Sequence, residues 1–529
     1  MIETPTFGAA AVVAPHTAAA DAGRAILLEG GNAIEAMIAM AASIAVVYPH
    51  MNAVGGDAFW LIREPKGRVR YIEACGYAGE KATNRFYWDK GHERIPSRGP
   101  LAALTVPGAV GGWSLAYDYS KSGGGRLSVR DLLSAAVSQA RNGCAVTACE
   151  ARGAPNEQAE LFAAPGFAEI FLHEGKIPTA GHLRKMERLA ATLERLGDAG
   201  LSDFYRGDVG REIASDLERI GSPVTRRDIE KYQAVMRAPL ELKLPGRRHY
   251  NAPPPTQGLA ALIILGIFDR LGVRHVESFE HLHGLVECVK RAFAVRDRVV
   301  TDFGHVKHDT DEFLTPAFLE EQAHAISKDR AGPYPLPPAK GDTVWMGAVD
   351  DQGIAVSYIQ SIYWEYGSGC VLPRTGVLMQ NRGVSFSLDE KALNPLVPGR
   401  RPFHTLNPAM AVFDDGRVMP YGSMGGDGQP QFQAQVFTRY LGGMGLADAV
   451  DAPRFLLGRT WGETSTSLKV EDRFDPSLTR ALEKAGHQVE ILRDGYSDTV
   501  GHAGAIVRHP RGRVEAVHDP RADGGASGF

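Results

Sequence analysis

Apolar residues recur at helical spacing from Thr17 to Glu29, and Gly30-Gly31 supplies a stop. Asn32 is placed to cap a second helix that runs to Tyr48, where Pro49 ends it. The run from Ile34 to Tyr48 is the most apolar of the chain, yet Glu35 interrupts it. Its length falls short of the ~20 residues that a bilayer crossing needs, so it reads as a buried core helix. The same periodicity predicts helices over 129–141, 183–197, 208–220, 256–271 and 277–298, and near 430–441 and 476–486. Residues 331–342 hold four prolines and read as an extended, exposed linker.

Past that linker the period changes from helical to alternating. Thr343–Val349 and Ile354–Ser361 alternate on either side of Asp350-Asp351-Gln352-Gly353, which predicts a β-hairpin. With Asp351-Gln352 as a two-residue loop, residues whose numbers sum to about 703 lie opposite each other. Thr343 then faces Gln360, with Ser361 one step away. Further strands are predicted near 376–380, 409–413, 417–422, 467–471, 488–492 and 504–516. The fold class is α+β, a largely antiparallel sheet covered by helices.

Composition narrows the function classes. The formal net charge is −4 over 529 residues, which gives no electrostatic reason to expect nucleic acid or an anionic membrane as partner. Five scattered cysteines without a CxxC pair argue against a disulfide framework or a structural zinc site. The first residues show no basic stretch leading into an apolar one, so a cytoplasmic location is expected. Glycine is the excess: 60 residues, above the usual ~7%, with no repeat to explain them.

Two segments carry candidate chemistry. A threonine opening a strand after an exposed linker, as in Gly341-Asp342-Thr343, suits a residue that becomes an N-terminus by cleavage. Its hydroxyl is then a nucleophile and its freed α-amine the adjacent base; the alternative is an ordinary strand-starting threonine. The second segment, Tyr421-Gly-Ser-Met-Gly-Gly-Asp-Gly-Gln-Pro430, exposes backbone N–H groups after an apolar strand. It is either a tight structural turn or an anion or oxyanion cradle. A phosphate-binding loop is disfavoured because no Gly-Lys-Ser/Thr follows, and GxGxxG spacing is missing. His281, His283 and Glu287 could ligate a metal from one helix, but an exposed helix face with chance histidines is the better reading. His305, His308, Asp309 and Asp311 read as a solvated loop, and no G-x-S-x-G elbow is present.

Taken in order, a series of short stretches resembles the gamma-glutamyltransferase family of N-terminal-nucleophile hydrolases along almost the whole chain. They are Gly30-Gly-Asn-Ala33, Gly55-Gly-Asp-Ala-Phe59, Val106-Pro-Gly108, Phe204-Tyr-Arg-Gly207, Pro253-Pro-Pro255, Gly367-Ser-Gly369, Arg401-Pro-Phe403, Gly425-Gly426 and Asp451-Ala-Pro-Arg454. The stretches Gly341–Met346, Gln360–Tyr363, Phe403–Pro408 and Gly425–Pro430 look most like its oxamate amidohydrolase branch. The resemblance implies an αββα sandwich made as one proenzyme that cuts itself between Asp342 and Thr343. Residues 1–342 and 343–529 would then be two chains of one intertwined domain, so the three or four domains suggested by length alone are not expected. Thr343 would be the nucleophile, Gly425 and Gly426 the oxyanion hole, and Ser361 the hydroxyl that supports the nucleophile.

The departures from the family pattern bear on the substrate. Classical members bind a glutamyl α-carboxylate with an arginine near the position of Ala74-Cys75, where none occurs here. The acid that holds the α-amine falls at Ser385, the serine pair at His404-Thr405, and an asparagine at Tyr363. Arg382, beside Asn381, brings a positive fork instead. The expectation is therefore a small acid amide, oxamate first, with Arg382 as carboxylate anchor and Tyr363, His404, Thr405, Asn381 and Ser385 around it. A structural salt bridge is the alternative role for Arg382. No cofactor and no metal are expected, and the partner of each fragment is the other. The rival readings are a γ-glutamyl hydrolase, transferase or amide acylase, and an unprocessed binding paralogue.

Overall fold

The alternation in the second half of the chain and the helical periods in the first resolve into four layers. The computed structural model describes residues 2–152, 158–334, 342–458 and 466–529. Two seven-stranded antiparallel sheets face each other. One runs, in spatial order, Thr6–Phe7, Val514–His518, Ala503–Arg508, Val418–Ser423, Ala409–Phe413, Arg247–Asn251 and Leu240–Leu244. The other runs Gly525–Gly528, Ala11–Ala14, Asp342–Val349, Ala355–Tyr363, Asp57–Arg63, Val69–Ala74 and Val235–Arg237. Strands from both sides of position 342 share each of these two large sheets, so neither fragment expected on cleavage completes the sandwich by itself.

Each outer face of the sandwich is sealed by helices. Ala33–Val47 is buried at all fifteen positions and lies against the sheet that holds the hairpin. Asn32 and Glu35 close its start as a capping box, each accepting from the other's backbone N–H. The Glu35 carboxylate also takes the Leu127 N–H at 3.0 Å, which explains how a charge sits in the most apolar helix. Gly258–Leu271, Phe279–Val299 and Gln429–Leu441 cover the other sheet. The last of these carries buried glutamines at 431 and 435, four apart on one face. They donate to the Leu457 and Phe455 carbonyls and accept from the N–H groups of the same two residues. Side-chain amides thus pair an edge strand that no neighbouring strand reaches on that side. Among the described residues, no helix is long and apolar enough to cross a membrane.

Trp345 fixes the distance between the sheets. It is 1% exposed and lies in the layer between them with Leu61, Met410 and Ile506. Its indole N–H donates to Ser357 Oγ at 3.0 Å. The ring fits because Gly422 and Gly504 face it: a Cβ at Gly422 would stand 2.0 Å from Trp345 Cδ1, and one at Gly504 2.6 Å from Cζ3. Part of the glycine excess is therefore a slot for this ring. Gly422→Ala is expected to destabilise the protein by about 1–3 kcal/mol, as overpacking of a dense core does. A denaturant midpoint equal to that of the parent protein would show that the sheets separate without cost.

Several predicted elements are corrected. Residues 183–186 are not helical; Leu183–Arg184 pairs with Cys144–Ala145, and the helix spans Glu187–Ala199. Residues 376–380 form isolated bridges at Leu378 and Met379 instead of a strand. The stretch 504–516 is two strands, Ala503–Arg508 and Val514–His518, turned at Gly512. Of the proposed linker, residues 335–341 lie outside the described residues. At its start, Ala331 N–H donates to the Ala485 carbonyl at 2.7 Å, so this part is docked and not free.

Candidate functional site

The hairpin delivers Thr343 to the end of the sandwich. Its strands, Asp342–Val349 and Ala355–Tyr363, are joined by five residues and not two. Asp350 N–H donates to the Ile354 carbonyl, and the Asp350 carboxylate takes the Ile354 N–H. Gly353, at φ 90°, turns the chain. Val349 opposite Ala355 and Val344 opposite Gln360 set a register one residue later than the two-residue loop predicts. A bulge follows: Asp342 pairs with Tyr363, so Thr343 faces Ser361 and Ile362 together. The bulge re-aims the strand where Thr343 sits, fully buried.

The glycine turn comes to the same point from the opposite sheet. After the Val418–Ser423 strand, Gly425 (φ 116°) and Gly426 (φ 53°) adopt left-handed backbone, and helix Gln429–Leu441 begins three residues on. A Cβ at Gly425 would lie 2.6 Å from the Phe432 ring, so both conformation and space demand glycine there. Neither the Gly425 nor the Gly426 N–H donates to a protein acceptor among the described residues. Consecutive left-handed residues with free N–H groups ahead of a helix form an anion-binding concavity. The Gly426 carbonyl is held by Gln257 Nε2 at 2.8 Å, which also donates to the Thr405 carbonyl at 2.7 Å. Gln429 Nε2 donates to Thr343 Oγ1 at 3.2 Å and joins the two segments.

Next to Thr343 lies a buried cation. Arg382 is 0% exposed; its Nη2 donates to Ser361 Oγ and its Nη1 to Thr405 Oγ1, both at 3.3 Å. Its guanidinium carbon is 4.1 Å from the centre of the Tyr363 ring. Tyr363 itself has φ 84°, a costly conformation for a non-glycine residue. It is held there by its N–H donating to Ser361 Oγ at 2.8 Å. Among the described residues no carboxylate pairs with Arg382, and its Nε has no acceptor. Burial lowers its pKa to about 10, so it remains charged at neutral pH. Thr343, Ser361 and Arg382 are thus consecutive neighbours, and Thr405 closes the far side of the fork.

Behind them, Asp57 Oδ1 accepts from Gly76 N–H, Gly108 N–H and Gln380 Nε2, each at 3.0 Å. Its Oδ2 stands 3.3 Å from His404 Nε2 without hydrogen-bond alignment. Burial, and then the Arg382 charge, push the His404 pKa down to about 4, so the ring is neutral. Asn381 and Ser385 serve the loop. Asn381 accepts from Trp364 N–H and donates to the Ser97 carbonyl, while Ser385 Oγ donates to the carbonyls of Arg382 and Phe403. Sequence reasoning passed over Gln429, Gln257 and Asp57. Gln429 and Asp57 stood in stretches already singled out for glycines, whereas Gln257 left no local signal.

The other polar candidates have protein partners. His281 Nε2 meets Thr438 Oγ1 at 2.9 Å, and its Nδ1 takes the Glu277 N–H. His283 bridges His487 and the Ser327 carbonyl, both at 2.8 Å, and Glu287 pairs with Lys290 at 2.7 Å. The helix face is therefore buried, not exposed. His305 and His308 are more than half exposed beside Asp302 and Glu312, and Asp309 caps Asp311 N–H.

Buried neutral histidines give the protein an acid-sensitive fold. His50, His404 and His518 are lowered to about 4 and His249 to about 3, all chiefly by burial. In the unfolded chain they titrate near 6.5. As pH falls through ~6.5 the unfolded state takes up protons that the folded state refuses until about pH 4, so stability declines across that window. Melting temperatures measured from pH 7 to 4 should fall steadily; a flat profile would contradict neutral burial.

The gamma-glutamyltranspeptidase family profile matches residues 19–529. The chain is 50% identical over 519 residues to the oxamate amidohydrolase proenzyme of Klebsiella pneumoniae, covering 98% of each chain. It is 39% identical to the glutathione hydrolase-like YwrD proenzyme of Bacillus subtilis, again covering 98% of both. Among solved structures, the cephalosporin acylase from Bacillus halodurans superposes with a TM-score of 0.89 at 29% identity, covering 100% of this chain and 97% of the other. The four-layer α+β sandwich anticipated from the resemblance is thus shared with a solved relative over the full length. With a profile spanning nearly all of the sequence and a relative at 50% identity, the chain belongs to the gamma-glutamyltranspeptidase family of enzymes.

Proposed function

We propose that this protein is a self-processing amidohydrolase that cleaves a small carboxylate-bearing amide, with oxamate, giving oxalate and ammonia, as the leading substrate. The observation that carries the reading is Arg382: a buried, charged fork without a carboxylate partner among the described residues, one side chain away from Thr343. An anchor so near the nucleophile suits an acid whose carboxylate is bonded directly to the amide carbonyl. A γ-glutamyl group carries its carboxylate three carbons further out, and finds here buried Ala74 and Cys75 in place of an arginine. The 50% identity to an oxamate amidohydrolase proenzyme supports the same choice.

In this reading Thr343 Oγ attacks the Asp342 carbonyl, and the amide nitrogen leaves as the new α-amine while an ester forms. Water opens the ester, leaving 1–342 and 343–529 as partner chains. The freed amine, with a reference pKa of about 7.7–8.0, then takes the Thr343 hydroxyl proton as Oγ attacks the substrate amide. The tetrahedral oxyanion lies against the Gly425 and Gly426 N–H groups, where one lost donor typically costs about 10²–10³ in rate. Collapse expels ammonia, and water hydrolyses the threonyl ester. Ser361 and Gln429 hold Oγ in place, and Tyr363 and Thr405 hold Arg382.

Ammonia release from oxamate, set against chromophore release from a γ-glutamyl anilide, tests the substrate. Oxamate should be turned over far faster. Efficient turnover of the anilide would favour the γ-glutamyl hydrolase or acylase reading instead, and no turnover of any amide by an uncut chain would favour a binding paralogue.

A further inference from the structure

Behind the glycine turn lies a second cluster of chemically able side chains that the amidohydrolase reading does not use. Cys149, Asp498 and His502 each offer one donor atom, and these atoms all lie within 4.8 Å of one another. Cys149 stands on helix Ala148–Arg152; Asp498 and His502 flank a tight turn that enters the Ala503–Arg508 strand. His502 and Cys149 are both 2% exposed. His502 Nε2 meets Asp498 Oδ1 at 2.8 Å, which leaves Nδ1 buried without a partner.

A second buried imidazole lies nearby, outside the group of three clustered donors. His50 is 1% exposed, and neither of its ring nitrogens has a hydrogen-bond partner. It lies within electrostatic range of His502 and Asp498, and its carbonyl accepts from Tyr366 N–H. The unpaired His502 nitrogen, buried in a group with a thiol and a carboxylate, costs free energy unless something satisfies it. In the group His283, Glu287 and His487 both His283 nitrogens have protein partners, whereas His502 keeps one nitrogen without, although Asp498 is itself 3.7 Å from Arg152 Nη2.

We infer that Cys149, Asp498 and His502 bind one divalent transition-metal ion of the zinc class. A mixed sulfur, nitrogen and oxygen set suits that ion, and the absence of any CxxC pair hid the site from spacing rules. Binding forms a metal–sulfur bond and releases the Cys149 proton to solvent. The ion serves structure. The His502 carbonyl accepts from Met424 N–H at 3.0 Å, and Gly501 packs against Gly425, so the ion fixes the segment that backs the glycine turn. On the proposed cleavage, Cys149 belongs to one fragment and Asp498 and His502 to the other, so the same ion joins them; the site itself does not depend on that cleavage.

The test uses the full chain, stripped with a chelator and reloaded with zinc or cobalt(II). We expect one zinc per chain and, with cobalt, a thiolate-to-metal charge-transfer absorption. Cys149→Ser should abolish that absorption and weaken zinc by about 100-fold or more, above the 10–100-fold typical of losing a supporting partner; Cys288→Ser should leave both unchanged. Thr343→Ala should bind the ion as well as the parent, which separates this outcome from failure of the amidohydrolase reading. Absence of stoichiometric metal in the parent, or a charge-transfer band surviving in Cys149→Ser, overturns the site. Should Cys149→Ser not fold, cysteine alkylation of the parent with and without zinc decides: protection of Cys149 supports the site, and protection of another cysteine alone refutes it.

Discussion

Thr343→Ala is expected to leave the chain as a single 57.1 kDa band on denaturing gels and to remove amide hydrolysis. Both outcomes follow from one atom. Oγ1 is the group expected to attack Asp342 during maturation and the substrate afterwards, and in the uncut chain no second hydroxyl replaces it. Ser361, the nearest alternative, already takes hydrogen bonds from Tyr363 N–H and Arg382. Removing a nucleophile that acts with its base costs up to about 10⁶ in turnover. The fold should survive, because the substitution deletes one methyl and one hydroxyl whose bond to Gln429 spans 3.2 Å, worth about 1 kcal/mol. Thr343→Ser keeps the hydroxyl and should still process. A Thr343→Ala protein that splits into two bands, or that releases ammonia from oxamate, would end the assignment of Thr343.

Arg382→Ala is expected to raise the KM for oxamate about 10–150-fold with a smaller change in kcat. That range corresponds to about 1.5–3 kcal/mol for a hydrogen bond to a charged group. The anchor would act on the carboxylate in ground and transition states alike, so the loss falls on KM. A neutral amide without the carboxylate separates anchoring from support. Its turnover should be little affected if Arg382 binds the acid, and should fall in parallel with that of oxamate if Arg382 only positions Ser361 and Tyr363. Arg382→Lys retains a charge but loses the planar fork shared between Ser361 and Thr405, and should lie between the two. Equal losses on both substrates would return Arg382 to a structural role.

What was readable along the chain was governed by short-range physics. Asn32 with Glu35, Ser128 with Asp131 and Ser278 each satisfy helix-start N–H groups within three residues; the first two helices start where the sequence predicts, and the third, predicted from 277, starts at Phe279. Alternation marked both hairpin strands, and glycine density marked the turn at Gly425. The register failed by one residue because a five-residue turn and a bulge at Thr343 have almost the same composition as a two-residue loop and a regular ladder. The helix predicted from residue 183 failed at its start because Leu183 and Arg184 are drawn into a two-residue ladder with Cys144 and Ala145, far away in sequence.

The sequence by itself therefore determined most of the element types, pointed to the family, and singled out the residues around which the proposed site is built: Thr343, Gly425, Gly426 and Arg382. Each is marked by local backbone demand or by a short motif. Only the tertiary structure decided which of them meet and in what state. Arg382 is close to Thr343 because Ser361 lies between them across a bulge, and among the described residues it has no carboxylate partner because of what packs around it. Gln429, Gln257 and Asp57 enter through contacts between residues that are mostly many positions apart. Desolvation and hydrogen-bond completion belong to the assembled packing and not to any one segment, so no periodicity or spacing along the chain encodes them.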